Sequence, residues 1–96
     1  MSVVIVGGHD RMHCRYKEIC KKYGCKCKVF TQYPANFKGQ IGSPDVIVIF
    51  TGTVAHKMLN VASVQAERSC ARLVHCNSSS ACALNDALEE CFAGKN

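Results

Sequence analysis

The sequence has no hydrophobic run long enough to cross a membrane. None of its apolar runs approaches the ~20 residues that a transmembrane helix needs. The N-terminus also lacks the basic segment that precedes the hydrophobic segment of a secretory signal peptide. We therefore expect a cytoplasmic protein with no membrane partner.

Several familiar motifs are missing as well. The chain contains no P-loop, no G-x-G-x-x-G fingerprint and no paired C-x-x-C. It also has no internal repeat, linker or low-complexity tract. Its length of 96 residues then predicts a single α/β domain over residues 1–96.

Cysteine, by contrast, is abundant, with eight residues. In a secreted chain this content would indicate a disulfide framework. Since no export signal is present and an α/β core needs no covalent cross-links, we favour free thiols. Such thiols are buried, bind metal or take part in redox chemistry. The disulfide framework remains the less favoured alternative.

The net charge of +5 is concentrated in the first forty residues. The basic residues there are Arg11, Arg15, Lys17, Lys21, Lys22, Lys26, Lys28 and Lys38. This distribution is typical of a solvated helix face and an edge strand. The pattern does not favour a nucleic-acid partner, because aromatic residues do not interleave with the charges.

Short apolar runs alternate with segments in which apolar residues recur at helical spacing. Four segments are predicted to be strands: residues 3–6, 25–31, 46–50 and 72–76. Amphipathic helical patterns follow the first, third and fourth of these strands. Residues 32–44 are predicted to form a loop that serves as a lid or a dimer contact, through Tyr33 and Phe37.

This pattern predicts an α/β fold, a three-layer sandwich with a four-stranded parallel sheet and helices on both faces. The first and third strands are the most apolar and should be central. The expected strand order is therefore 2-1-3-4, which is Rossmann-like or flavodoxin-like. In such sheets ligands bind outside the carboxyl ends of the strands, where the strand order reverses.

The candidate site is this carboxyl edge of the sheet. Three predicted helices begin there, and the free N–H groups and partial positive charge of helix N-termini favour an anion. Thr53 is predicted to cap the helix after the third strand. The residues predicted to bind a cofactor are Gly7, Gly8, His9, Asp10, Arg11, Thr51, Thr53, Lys57, Ser78, Ser79 and Ser80.

The same edge concentrates imidazole and thiol groups, which are ligands of zinc, iron and haem iron. The predicted metal ligands are His9, His13, Cys14, His56 and Cys76. We expect a haem or transition-metal cofactor used in redox chemistry or sensing. Haem would require a homodimer, because a monomer of this size could not bury it.

An alternative function is a binding module or enzyme for a phosphate ester or nucleotide at the same edge. In that case Arg11, Lys57 and the serines would hold the phosphate, and His9 with Asp10 would transfer a proton. Cys14 is a candidate nucleophile because cations and a helix N-terminus lower the pKa of a nearby thiol. The sequence does not decide whether there is catalysis.

Several segments carry a resemblance to a known family. They are residues 3–11 (VVIVGGHDR), 16–17, 41–45, 51–58 (TGTVAHKM) and 78–80. On these segments the chain resembles an uncharacterised bacterial family, domain of unknown function 2325. The resemblance covers nearly the whole chain and implies a small α/β domain, but little about activity. One departure is Asn77, which stands where the family often has a His before the serines.

Overall fold

The structure is a computed structural model and describes residues 2–93. Its elements are β1 (Ser2–Val6), a 3-10 turn (Asp10–Met12), α1 (His13–Lys22), β2 (Lys26–Phe30), α2 (Phe37–Ile41), β3 (Val46–Phe50), α3 (His56–Ser69), β4 (Arg72–Cys76) and α4 (Ala81–Ala93). The longest of these helices, α3, has 14 residues. Within the described residues no helix is long and apolar enough to cross a membrane.

The four strands form one parallel sheet in the order β2-β1-β3-β4. This confirms the predicted fold class and strand order. Val6, near the end of β1, lies opposite Phe30 of β2 and Ile49 of β3. The register therefore brings the carboxyl ends of the strands to one edge of the sheet.

Both faces of the sheet are covered, and the two central strands are apolar at every position except Ser2. Alternate residues of a strand point to opposite faces. Val3 and Ile5 therefore pack in the layer that contains α1 and α4, while Val4 and Val6 pack in the layer that contains α2 and α3. Every residue of β3 is buried. The result is the predicted three-layer arrangement.

The segment between β2 and β3 differs from the sequence prediction. Residues 37–41 form the short helix α2, so the prediction of an uninterrupted loop is wrong there. Phe37 and Ile41, one helical turn apart, are both buried, and the Phe37 ring packs edge-on against Phe30 at 5.0 Å. Phe37 is therefore part of the core. Tyr33 contacts the Phe37 ring at 5.4 Å and remains 50% exposed.

Candidate functional site

We call the segments that follow the carboxyl ends of the four strands the rim. The rim comprises residues 7–12 after β1, 31–32 after β2, 51–57 after β3 and 77–80 after β4. Hydrogen bonds link all four segments. The rim is therefore held as one structure rather than as four independent loops.

The buried ring of Tyr16 joins the rim segments after β1 and β4. Its hydroxyl donates to the carbonyl of Ser79 at 2.6 Å and accepts from the backbone N–H of His9. The ring is fully buried against Phe50, with centroids 5.1 Å apart. Burial raises the pKa of Tyr16, so the hydroxyl keeps the proton that it donates. The sequence placed Tyr16 on the apolar stripe of α1 but gave no sign of this link.

Gly8 lies directly over this tyrosine. Its φ angle of +85° is one that L side chains rarely adopt, and a Cβ there would lie 2.7 Å from the Tyr16 hydroxyl. The backbone N–H of Gly8 donates to Thr53 Oγ1 at 2.9 Å. The absence of a Cβ at Gly8 therefore makes room for the Tyr16 side chain of the same protein.

The two threonines of the rim segment after β3 link segments of the chain. Thr53 was predicted to cap the next helix, but α3 begins at His56 with Ala55 as its N-cap, so that prediction is wrong. The Thr53 hydroxyl instead accepts from Gly8 and donates to the carbonyl of Phe50 at 3.4 Å. The backbone N–H of Thr51 donates to the carbonyl of Cys76 at 2.8 Å, which ties β3 to β4.

The serine run starts α4. Ser80 Oγ accepts from the backbone N–H of Ala83 at 3.2 Å, and Ser78 Oγ accepts from the backbone N–H of Ser80 at 3.3 Å. These contacts satisfy N–H groups that the first helical turn leaves unpaired. Ser78 and Ser80 are exposed. Since a hydroxyl can accept and donate at once, each could still donate its proton to a ligand.

The Asp10 side chain is hydrogen-bonded to the rim segment that follows β2. Its carboxylate accepts a short hydrogen bond from Thr31 Oγ1 and a second from Gln32 Nε2 at 3.1 Å. These two bonds, with smaller contributions from His13 and His9, hold the pKa of Asp10 below its usual value. A carboxylate with a lowered pKa is a weak general base. The geometry therefore gives little support to His9 and Asp10 as a proton-transfer pair.

The cationic groups of the rim are exposed. His9, Asp10, Arg11 and Met12 line a concavity of about 620 Å³. Lys57 lies in the first turn of α3, where no side chain caps the helix N-terminus. Arg11 and Lys57 are exposed, and no side chain caps the first N–H groups of α3.

The predicted metal ligands are spread over different environments. His9, Cys14 and His56 are exposed, and His13 is half-buried. Cys76 is buried in the core layer beside α4, and burial raises the pKa of its thiol. Residues 2–93 contain no group of three or more His, Cys, Asp or Glu side chains that could hold a metal ion. The structure thus does not assemble these five residues into one metal site.

Comparison with known proteins identifies a family for this chain, but it does not identify an activity. The model of a family described as "Uncharacterized protein conserved in bacteria (DUF2325)" matches residues 2–91. No curated protein and no solved structure gives a significant match. Any functional proposal therefore depends on the geometry of the rim.

Proposed function

This chain belongs to DUF2325, a family of uncharacterised bacterial proteins, and we propose that it binds a small anionic ligand, such as a phosphate ester, at the rim. One observation carries the proposal. The N-terminus of α3 has no side-chain cap and lies at the same edge of the sheet as the exposed cations Arg11 and Lys57.

The helix N-terminus offers both charge and hydrogen-bond donors. The first N–H groups of a helix have no partner within it, and the helix dipole places partial positive charge there. Lys57 adds a full charge in the first turn of α3. Arg11 can bind two oxygens of a phosphate or carboxylate at once. Together these groups match a doubly charged anion better than a neutral ligand.

The rim is ordered before any ligand arrives. The bonds from Tyr16 to Ser79, from Gly8 to Thr53 and from Thr51 to Cys76 are 2.6, 2.9 and 2.8 Å long. A ligand therefore does not have to immobilise the segments that follow β1, β3 and β4. Such preorganisation reduces the entropic cost of binding.

Charge variants at the rim and at the far end of α3 test the proposal. Isothermal titration with inorganic phosphate, a nucleoside monophosphate and a sugar phosphate should detect binding to the unaltered protein. Arg11→Gln and Lys57→Gln should each weaken it by about tenfold or more, since hydrogen bonds to charged groups are worth about 1.5–3 kcal/mol. Arg68→Gln is the matched control. It removes the same charge, but from the last turn of α3, at the opposite end of the helix.

The control separates a site from general attraction to a basic protein. Loss of affinity in Arg11→Gln and Lys57→Gln, with Arg68→Gln unchanged, supports the rim. Equal weakening in all three variants would indicate unspecific charge. Absence of binding by every anion tested would overturn the proposal.

A metal-centred cofactor, namely haem, iron or zinc, is the second candidate. The observation that favours it is the electrostatic interaction of Asp10 with both His9 and His13; these three side chains do not form a metal-binding group by themselves within residues 2–93, so a ligand such as haem would have to use one of the imidazoles alone. Haem also carries carboxylates that could bind the same cations. Haemin and zinc titrations of the purified protein test this candidate. A Soret band lost in His9→Ala or His13→Ala, but kept in His75→Ala on β4, would favour it over a simple anion.

A further inference from the structure

Three cysteines surround the turn between α1 and β2. Cys20 lies in α1, Cys25 precedes β2, and Cys27 lies within it. The turn is tight, with the backbone N–H of Cys25 donating to the carbonyl of Cys20 at 3.0 Å. The structure therefore brings the end of α1 close to the beginning of the edge strand.

Two of these thiols lie in the same core layer and interact. Cys20 is fully buried, Cys27 is half-buried and packs against the core layer that contains Cys20, and the two thiols interact with each other. The Cys25 thiol donates to the carbonyl of Tyr23 at 3.7 Å. We propose that Cys20 and Cys27 form a reversible disulfide when the protein meets a hydroperoxide.

The environments of the two sulfurs assign their roles. The hydrogen bond from Cys20 lowers the pKa of Cys27, and the nearby ammonium of Lys17 lowers it further. The same contact and burial raise the pKa of Cys20. Since the thiolate is the reactive form, Cys27 is the residue that meets the oxidant first. Cys20 then resolves the oxidised sulfur.

The two steps balance as follows. The Cys27 thiolate attacks one oxygen of the hydroperoxide, the O–O bond breaks, and an alkoxide or hydroxide leaves as Cys27 becomes a sulfenic acid. Cys20 loses its proton and attacks that sulfur, so that the S–S bond forms and hydroxide leaves. The two released anions take up the two thiol protons. In total, two thiols lose two electrons and the peroxide is reduced to an alcohol and water, or to two waters.

A second pair of thiols provides an internal control. Cys76 and Cys91 are both buried and interact electrostatically, but burial raises the pKa of each. Neither has the hydrogen bond that favours the thiolate of Cys27. If burial in the same core layer were sufficient, this pair would oxidise as readily as Cys20 and Cys27, whereas thiolate chemistry would leave it reduced.

The sequence makes the bond easy to locate. Trypsin cleaves after Lys and Arg, so it releases Cys20 in residues 18–21, Cys25 in residues 23–26 and Cys27 in residues 27–28. After treatment of the full chain with hydrogen peroxide and alkylation of the remaining thiols, mass spectrometry should show residues 18–21 linked to residues 27–28. Dithiothreitol should return both peptides to the reduced form.

Two variants test the order of the steps. In Cys20→Ala, Cys27 should accumulate as a sulfenic acid that dimedone traps. In Cys27→Ala, which changes a half-buried residue, Cys20 should remain reduced. A link from residues 18–21 to residues 23–26, oxidation of Cys76 and Cys91 at the same rate, or retention of all eight thiols would overturn the proposal.

Discussion

Replacement of Gly8 by alanine should disrupt the rim through its contact with Tyr16. The added Cβ would lie 2.7 Å from the Tyr16 hydroxyl and 2.8 Å from Cε2 of the same ring. The ring is fully buried and packs against Phe50. Either the tyrosine or the segment after β1 must move, and the hydrogen bond to Ser79 is lost with it.

The expected loss of stability has three parts. A side chain at a φ of +85° costs about 1–2 kcal/mol. Overpacking against the buried ring adds about 1–3 kcal/mol, and the lost Tyr16 hydrogen bond adds about 0.5–1.5 kcal/mol. Gly8→Ala should therefore lower the free energy of unfolding by about 3–6 kcal/mol, a large share of the stability of a small domain.

Gly24→Ala is the matched control. Gly24 has a φ of +70°, but nothing lies within 4 Å of the Cβ that alanine would add. Urea denaturation followed by circular dichroism should show Gly8→Ala to be about 2–4 kcal/mol less stable than Gly24→Ala, because only the first substitution adds the contact with Tyr16. Equal losses in the two variants would refute the view that Gly8 is required by Tyr16.

Three further predictions concern single side chains. Thr53→Val should lower the free energy of unfolding by about 1 kcal/mol, because it removes the acceptor of the Gly8 N–H. Thr53→Ser keeps the hydroxyl and should preserve the stability, and urea titrations compare the two variants. The pKa of Asp10 is lower in the folded state than in the unfolded chain, so the ionised carboxylate stabilises the fold. This stabilisation is present above the unfolded pKa, about 3.9, and is lost as pH falls through the folded pKa. Asp10→Asn should therefore make the free energy of unfolding less dependent on pH in urea titrations from pH 2 to 7. An unchanged pH dependence would contradict this prediction. At neutral pH iodoacetamide should modify Cys27 before Cys91, and equal rates in the folded chain would show that the Cys27 thiolate is not favoured.

The strand order could be predicted because the sequence shows which strands are buried on both faces. The uninterrupted apolar residues of β1 and β3 indicate central strands, and the alternation of lysine with apolar residues in β2 indicates an edge. The helix α2 could not be predicted in the same way. It has five residues, too few to show a period, and the nearby prolines and glycines indicate a loop.

The rim could be located from the sequence, but the contacts within it could not. Glycine after β1 and threonine after β3 located the rim, since they follow the ends of the central strands. The bond from Tyr16 to Ser79 joins residues 63 apart in the sequence, and the pairing of the Cys20 and Cys27 thiols depends on how α1 packs on β2. Local patterns carry no signal for such contacts, because they depend on tertiary packing.

Chemical-shift mapping with a nucleoside monophosphate tests the proposed binding at the rim most directly. We predict that the amide signals of residues 8–11, 56–58 and 78–80 shift together with one affinity, and that Lys57→Gln weakens this affinity while Arg68→Gln leaves it unchanged. Shifts confined to the basic surface of α1, around Lys17 and Lys21, would contradict the proposal and point to nucleic acid or to unspecific charge.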